Sequence, residues 1–77
     1  MEELIRVIAR GLVDQKDAVS VTADAPDAEG TVVYHLHVAA DDMGRVIGKQ
    51  GRIAKAIRTV VRACATRADQ KVMVEID

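Results

Sequence analysis

The segment DDMGRVIGKQGRIAKAIR, residues 41–58, decides the fold of this 77-residue chain. It contains three of the five glycines and five Lys or Arg residues. Its centre, Gly48-Lys49-Gln50-Gly51, is a two-glycine turn between two stretches that both have a helical pattern. A flexible, positively charged turn at a helix start is either a phosphate-binding loop or a plain tight turn. The rest of the chain has to distinguish the two.

The composition excludes several classes of protein. A chain of this length forms one domain, and we expect that domain to cover residues 1–77. There is no Phe, no Trp and a single tyrosine, Tyr34, so the exposed aromatic residues on which RRM and cold-shock domains stack bases are missing. The single cysteine, Cys64, is expected to be a small buried apolar residue. Early carboxylates and arginines in MEELIRVIARGLVDQ argue against a signal peptide or membrane span, which predicts a cytoplasmic protein.

The formal net charge of −1 conceals a strongly divided chain. Residues 1–42 carry nine acids and three bases, whereas residues 43–77 carry eight bases and three acids. From Arg45 to Arg67 there are seven basic residues and no acid. The positive half is therefore where we expect an anionic partner to bind.

Apolar periodicity predicts the element order α-β-β-α-α-β. Helices are predicted at about 2–13, 43–47 and from the glycine turn to 66, and strands at 18–24, 31–39 and 71–77. The first two strands can form a hairpin, and the two helices between the second and third strands allow a parallel crossover. The predicted fold is an α+β two-layer sandwich, with a three-stranded mixed sheet and three helices on one face. The predicted core residues of the last helix are Ile53, Ile57, Val60, Val61 and Cys64.

Three phosphate-binding motifs can be tested against the glycine turn. A Walker A loop fails because Gly44 and Gly48 are one residue too close and Gln50 replaces the required hydroxyl. A dinucleotide fingerprint fails because it needs a glycine where Val46 stands. The G-x-x-G of a KH domain fits, because two glycines let a nucleic-acid backbone approach and the following helix start favours negative charge.

The run Val46–Ile53, VIGKQGRI, resembles the KH signature, and the element order resembles the type II, bacterial KH domain. The whole chain resembles the small single-KH-domain RNA-binding proteins of the KhpA family. This resemblance implies a cytoplasmic RNA chaperone without a cofactor, acting as a homodimer or with a second KH-domain protein of the KhpB kind. It also implies a link to cell shape and cell-wall homeostasis.

The resemblance also implies a binding site for single-stranded RNA. Residues 48–51 would contact the sugar-phosphate backbone of about four nucleotides, and Ile47 and Ile53 would form a floor beneath the bases. The last strand and the loop 24–30 would form the opposite wall. The predicted RNA-binding residues are Arg45, Ile47, Gly48, Lys49, Gln50, Gly51, Arg52, Ile53 and Lys55.

The acidic loop 24–30 conflicts with this site, because its carboxylates should repel phosphate. We therefore expect weak, salt-sensitive binding that gains by avidity when two domains act together. A rival interpretation is a protein–protein interaction module with a vestigial KH loop. A helix-hairpin-helix DNA module is disfavoured because TVVYHLHV is a strand pattern, and an enzyme is not expected because no acid–base or nucleophile pair is assembled.

The remaining polar residues have structural interpretations. Lys55, Arg58 and Arg62 lie opposite the predicted core stripe and indicate a solvated face, with a smaller role in RNA binding. His35 and His37 share a strand face, but with no third ligand we expect exposed sheet residues rather than a metal site. Two acids, Asp41 and Asp42, are interpreted as caps of the short helix.

Overall fold

The computed structural model describes residues 1–76 and confirms the predicted α+β architecture. Within these residues, three α-helices and three strands follow the predicted order. The elements are α1 Glu2–Arg10, β1 Ser20–Ala23, β2 Thr31–His37, α2 Met43–Ile47, α3 Arg52–Arg67 and β3 Lys71–Ile76. Single turns of 3-10 helix occupy Lys16–Ala18, Ala40–Asp42 and Lys49–Gly51. Residue 77, the predicted end of the domain and of the last strand, lies outside the described residues.

The sheet is mixed, as predicted, with the strand order β1-β2-β3. Strands β1 and β2 are antiparallel, with Val21 opposite Leu36. Strands β2 and β3 are parallel, with Tyr34 opposite Val74. A parallel pair cannot be joined by a hairpin, so α2 and α3 form the crossover between β2 and β3. The loop Gly48–Gly51 lies inside this crossover.

Strand alternation separates a helix-covered face of the sheet from an open face. Val21, Leu36 and Val74 are buried on the covered face, while His37 and Glu75 are exposed on the other, as predicted. Strand β2 ends at His37, two residues before the predicted end. The core also receives side chains from all three described helices. Ile5, Ala9, Val46 and Val61 are completely buried.

The prediction for the buried side of α3 is wrong at Val60, which is 46% exposed. The buried row consists of Ile57 and Val61, as predicted, together with Ala54 and Ala65. Alanines on this row let the helix lie close to the sheet, and Cys64, beside Ala65, is only half-buried. Within residues 1–76, no helix combines the length and apolar character needed to cross a membrane.

The prediction that Asp42 caps α2 is also wrong. Asp42 occupies the N-cap position, but its side chain makes no capping hydrogen bond. It is buried, and its two carboxylate oxygens accept the N–H groups of Asp14 (3.2 Å) and Gln15 (3.0 Å). The hydrogen bond from Gln15 is the main reason that the pKa of Asp42 lies below its ordinary value. Asp42 therefore ties the segment after α1 to the start of α2.

Candidate nucleic-acid interface

The loop Gly48–Gly51 has a backbone conformation that requires glycine at both ends. Gly48 has φ 76° and ψ 173°, and Gly51 has φ 73° and ψ 15°. Both φ values lie in the region that residues with a Cβ rarely adopt. The Gly48 N–H donates to the Gly44 carbonyl at 2.9 Å, and the Gly51 N–H donates to the Gly48 carbonyl at 3.1 Å. These bonds fix the loop between α2 and α3.

Gly48 is required for packing as well as for its backbone angles. A Cβ at this position would lie only 2.8 Å from the Cβ of Ile53, well inside a normal contact. Ile53 is half-buried against this glycine, and Ile47 is 37% exposed on the preceding turn. The two isoleucines of the predicted floor therefore flank the loop as apolar surface.

The two residues between the glycines face solvent. Lys49 and Gln50 are both exposed, and Gln50 has left-handed angles, φ 58° and ψ 26°. A residue with a side chain pays about 1 kcal/mol for this conformation. Strain of this kind concentrates at binding and catalytic sites.

The start of α3 is available to an anion. Gly51 is its N-cap, no side chain of the described residues caps it, and its first turn contains no acid. The first N–H groups of a helix have no intrahelical acceptor and carry partial positive charge. No carboxylate within residues 1–76 forms an ion pair with Lys49, Arg52 or Lys55. These three bases therefore lie in the glycine loop and in the first turn of a helix whose start is uncapped.

Arg45 is placed differently from the other predicted basic residues. Its Nη1 lies 2.6 Å from the Oδ2 of Asp14, in the segment that follows α1. The hydrogen bond that Arg45 donates to the Asp14 carboxylate raises the pKa of Arg45 above its ordinary value. Arg45 thus lies near the loop, but a carboxylate holds its guanidinium.

The groove between α3 and β3 contains a contact that sequence reasoning missed. Arg58, expected on a solvated face, remains exposed, but its Nε donates to the Val74 carbonyl of β3 at 3.1 Å. This bond fastens the middle of α3 to the edge strand of the sheet. Local sequence gives no signal for it, because the acceptor is a backbone atom sixteen residues away. A narrow groove of about 50 Å³ here is lined by Arg58, Val61, Arg62, Val72, Met73 and Val74.

The acidic loop lies at the other end of α3 from the glycines. Glu29 and Gly30 line a cavity together with Lys71, at the start of β3. Since β3 begins just after α3 ends, this loop lies near the end of α3, and the 16 residues of α3 place that end about 24 Å from Gly51. Asp27 closes the loop on itself, because its Oδ1 accepts the N–H groups of Glu29 and Thr31. Repulsion of phosphate by these acids is therefore weaker at Gly48–Gly51 than the sequence indicated.

The two histidines of β2 do not form a common site. The Nε2 of His35 lies 2.9 Å from the Oδ2 of Asp24, and its Nδ1 lies 3.4 Å from the Oε2 of Glu75. His37 is exposed. Across residues 1–76, no group of three or more His, Cys, Asp or Glu residues is arranged to hold a metal ion.

The fold is similar to part of a larger protein. The chain superposes on Era of Aquifex aeolicus, bound to GDP and AlF4−, with a TM-score of 0.66 and 20% identity. It superposes on Era in complex with MgGDPNP and nucleotides 1506–1542 of 16S ribosomal RNA with a TM-score of 0.60 and 19% identity. Each match covers 97% of this chain and 28% of the Era chain, and at this identity it shows the fold alone.

Full-length sequence relatives are much more similar. The RNA-binding protein KhpA of Clostridium perfringens is 51% identical over 99% of both chains. Its namesake in Listeria monocytogenes is 51% identical over 99% of this chain and 97% of its own. The KhpA of Borreliella burgdorferi is 40% identical over 96% of this chain and 88% of its own. The family model for the KH domain of KhpA and KhpB matches residues 2–76, so this chain belongs to the KhpA/KhpB KH-domain family.

Proposed function

We propose that this chain binds single-stranded RNA through the loop Gly48–Gly51 and acts as an RNA chaperone. The observation that carries the proposal is the exposed two-glycine loop, whose Lys49 and uncapped α3 start meet no competing carboxylate within residues 1–76. Relatives that are 51% identical over 99% of the chain and named RNA-binding proteins support it.

In the proposed site, different residues contact the RNA backbone and the RNA bases. Phosphates lie against the loop backbone and the start of α3, where Lys49 and Arg52 supply mobile positive charge. Bases lie over the apolar surface of Ile47 and Ile53, and Lys55 extends the positive surface along α3. With no aromatic side chain in this region, base stacking contributes little. The site therefore holds the RNA backbone with little sequence preference.

The test of this site is ultraviolet crosslinking to short single-stranded RNA. The Lys49→Asp/Gln50→Asp variant is expected to lose crosslinking, because two negative charges then face the phosphates. The matched control is Lys71→Asp/Gln70→Asp, which makes the same charge change at the opposite end of α3. It should retain most of the crosslinking. Equal crosslinking by the loop variant and the native protein would exclude the loop as the RNA site.

We further propose that two domains act together, because one loop contacts only about four nucleotides. An apolar groove of about 330 Å³ between α1 and α3 supports pairing with a second copy. Val60, in this groove, is 46% exposed, and exposed apolar surface of this kind marks an interaction site. The groove is lined by Ile8, Leu12, Ile53, Ala56, Ile57 and Val60.

A protein of the KhpB kind is the alternative occupant of the same surface. The family model describes the KH domains of KhpA and KhpB together, so such a partner offers a similar surface. Val60→Asp should convert a dimer to a monomer in sedimentation velocity. Val7→Asp is the control, because Val7 is 59% exposed on α1 but lies outside the groove. If the native protein sediments as a monomer alone and as a larger species only when the KhpB-like partner is added, the heterodimer is favoured.

The cellular part of the proposal rests on the family resemblance. It comprises a cytoplasmic location and a role in post-transcriptional control linked to cell shape and cell-wall homeostasis. Expression of this chain in a Listeria monocytogenes strain lacking its own KhpA is expected to restore cell dimensions. The Lys49→Asp/Gln50→Asp variant should fail to do so. Restoration by that variant would instead favour the hypothesis of a protein–protein interaction module. The exposed apolar groove also supports this hypothesis.

A further inference from the structure

The ion pair between Arg45 and Asp14 lies beside the proposed RNA site. We infer that Asp14 competes with RNA phosphate for the Arg45 guanidinium and so limits the affinity for RNA. This inference rests on the proposed function. The inference assigns an inhibitory role to Asp14, a residue that lies 34 positions before the loop in the sequence.

The position of Arg45 places its side chain within reach of a phosphate at Gly48. The Gly48 N–H donates to the Gly44 carbonyl, so the helical path of α2 continues to Gly48. Residues three apart on a helix share a face, and Arg45 therefore lies about one turn, roughly 5 Å along the axis, from Gly48. A guanidinium on a long side chain can exchange partners across this distance.

The backbone that carries the Asp14 side chain is fixed by hydrogen bonds to Asp42. Buried Asp42 accepts the N–H groups of Asp14 and Gln15, which fixes this segment against α2. The Asp14 side chain itself is 72% exposed, and that of Arg45 is 54% exposed. An ion pair this accessible to water is weak and readily exchanged. A phosphate, which can accept two parallel N–H bonds from a guanidinium, is the stronger ligand.

The inference gives Arg45 two states. Without RNA, the guanidinium pairs with Asp14 at 2.6 Å. With RNA, it transfers to a phosphate at the loop and leaves Asp14 hydrated. Binding of RNA then has to break the Arg45–Asp14 pair, and this lowers the net affinity for RNA. Once the pair is broken, Arg45 makes one additional contact with a phosphate.

The test compares Asp14→Asn with Asp17→Asn by fluorescence anisotropy on a short single-stranded RNA. Both substitutions remove one exposed carboxylate from the same segment, but no ion pair of Asp17 occurs within residues 1–76. We expect Asp14→Asn to bind about two to five times more tightly, the range set by exposed ion pairs. Its plot of log K against log salt should change in slope by no more than about 0.7, the value for one phosphate. Asp17→Asn should differ little from the native protein.

A double-mutant cycle with Arg45→Gln isolates the pair. In the Arg45→Gln background, Asp14→Asn is expected to give no tightening. A gain that persists without Arg45, or equal gains from Asp14→Asn and Asp17→Asn, would show only a general charge effect and overturn the inference. In the unsubstituted protein, the Arg45 Nε–H resonance should shift when RNA is added, and an unmoved resonance would also overturn it.

The same assay separates this inference from the proposed function. If the native protein binds RNA and Lys49→Asp/Gln50→Asp abolishes binding, the loop is the site, and equal Asp14→Asn and Asp17→Asn affinities reject only the role of Asp14. If the native protein does not bind, or the loop variant binds equally well, both proposals are rejected. Melting curves of each variant confirm that the compared proteins are folded.

Discussion

Gly48 is the residue on which the shape of the proposed RNA site depends most directly. Its φ of 76° and ψ of 173° form a combination that is nearly exclusive to glycine. Its missing Cβ also leaves room for Ile53, which packs against it. Gly51 has a positive φ as well, but open space surrounds the position where its Cβ would lie. The two glycines of the motif therefore have different reasons to be glycine.

We predict that Gly48→Ala lowers the free energy of unfolding by about 3 kcal/mol, the sum of backbone strain and overpacking. The matched control is Gly44→Ala, in α2, where no atom lies within 4 Å of the added Cβ. Because alanine has a higher helix propensity than glycine, Gly44→Ala should raise the free energy of unfolding by about 0.5 kcal/mol. Urea denaturation of both variants measures these changes, and equal effects would contradict the packing role of Gly48.

Asp42 gives a prediction about acid stability. Folding lowers the pKa of Asp42 from its ordinary value of 3.8. The ionised carboxylate therefore adds to the free energy of unfolding above pH 3.8, and this contribution is lost as the pH falls through the folded-state pKa. Asp42→Asn should lower the melting temperature by several degrees at neutral pH, since the amide cannot accept both N–H groups as a carboxylate does. Its melting temperature should then fall less steeply in acid.

Circular dichroism melts between about pH 7 and pH 2 measure both effects. Asp41→Asn is the control, since Asp41 is the exposed neighbour of Asp42. If the two variants melt alike at every pH, the buried hydrogen bonds of Asp42 do not stabilise the fold.

The loop residues could be predicted from the sequence, whereas Asp42 and Arg58 could not. Gly48, Lys49 and Gly51 are neighbours in the chain, so their spacing alone indicates a backbone-exposing turn. The partners of Asp42 are backbone groups 27 and 28 residues earlier, and the partner of Arg58 is a carbonyl on β3. No local pattern specifies such contacts.

At the scale of elements, α3 determines how the loop faces the sheet. Its buried row includes Ala54 and Ala65, the latter 1% exposed, and these small side chains set the distance between helix and sheet. The helix itself was predictable because large apolar residues recur at helical spacing. The direction of its buried face was predicted less well, because alanines carry a weak hydrophobic signal and Val60 a strong one.

We predict that Ala65→Leu lowers the free energy of unfolding by about 1–3 kcal/mol, because the core has no room for three more carbon atoms. Ala63→Leu adds the same atoms at an exposed position two residues earlier and should change stability by less than about 0.5 kcal/mol. Chemical denaturation distinguishes them. Equal stabilities would mean that α3 does not pack against the sheet through its alanines.

At the scale of the whole molecule, the fold separates the acidic loop 24–30 from the glycine loop Gly48–Gly51. Residues 43–77 carry eight bases, and seven of these lie between Arg45 and Arg67. The acidic loop 24–30 is placed near the far end of α3, beside Lys71. A molecule with a formal net charge of −1 thereby keeps a positive surface at Gly48–Gly51. The sequence indicated the division, and the crossover topology determines the separation.

The central claim, that this loop holds RNA phosphates, is tested most directly by the salt dependence of binding to a short single-stranded RNA. For a few phosphate contacts, log K should fall with log salt with a slope of about −2 to −3 in the native protein. The Lys49→Asp/Gln50→Asp variant should bind weakly with a much flatter slope, while Lys71→Asp/Gln70→Asp keeps most of the native slope. A flat response in the native protein, or a native slope in the loop variant, would contradict the claim.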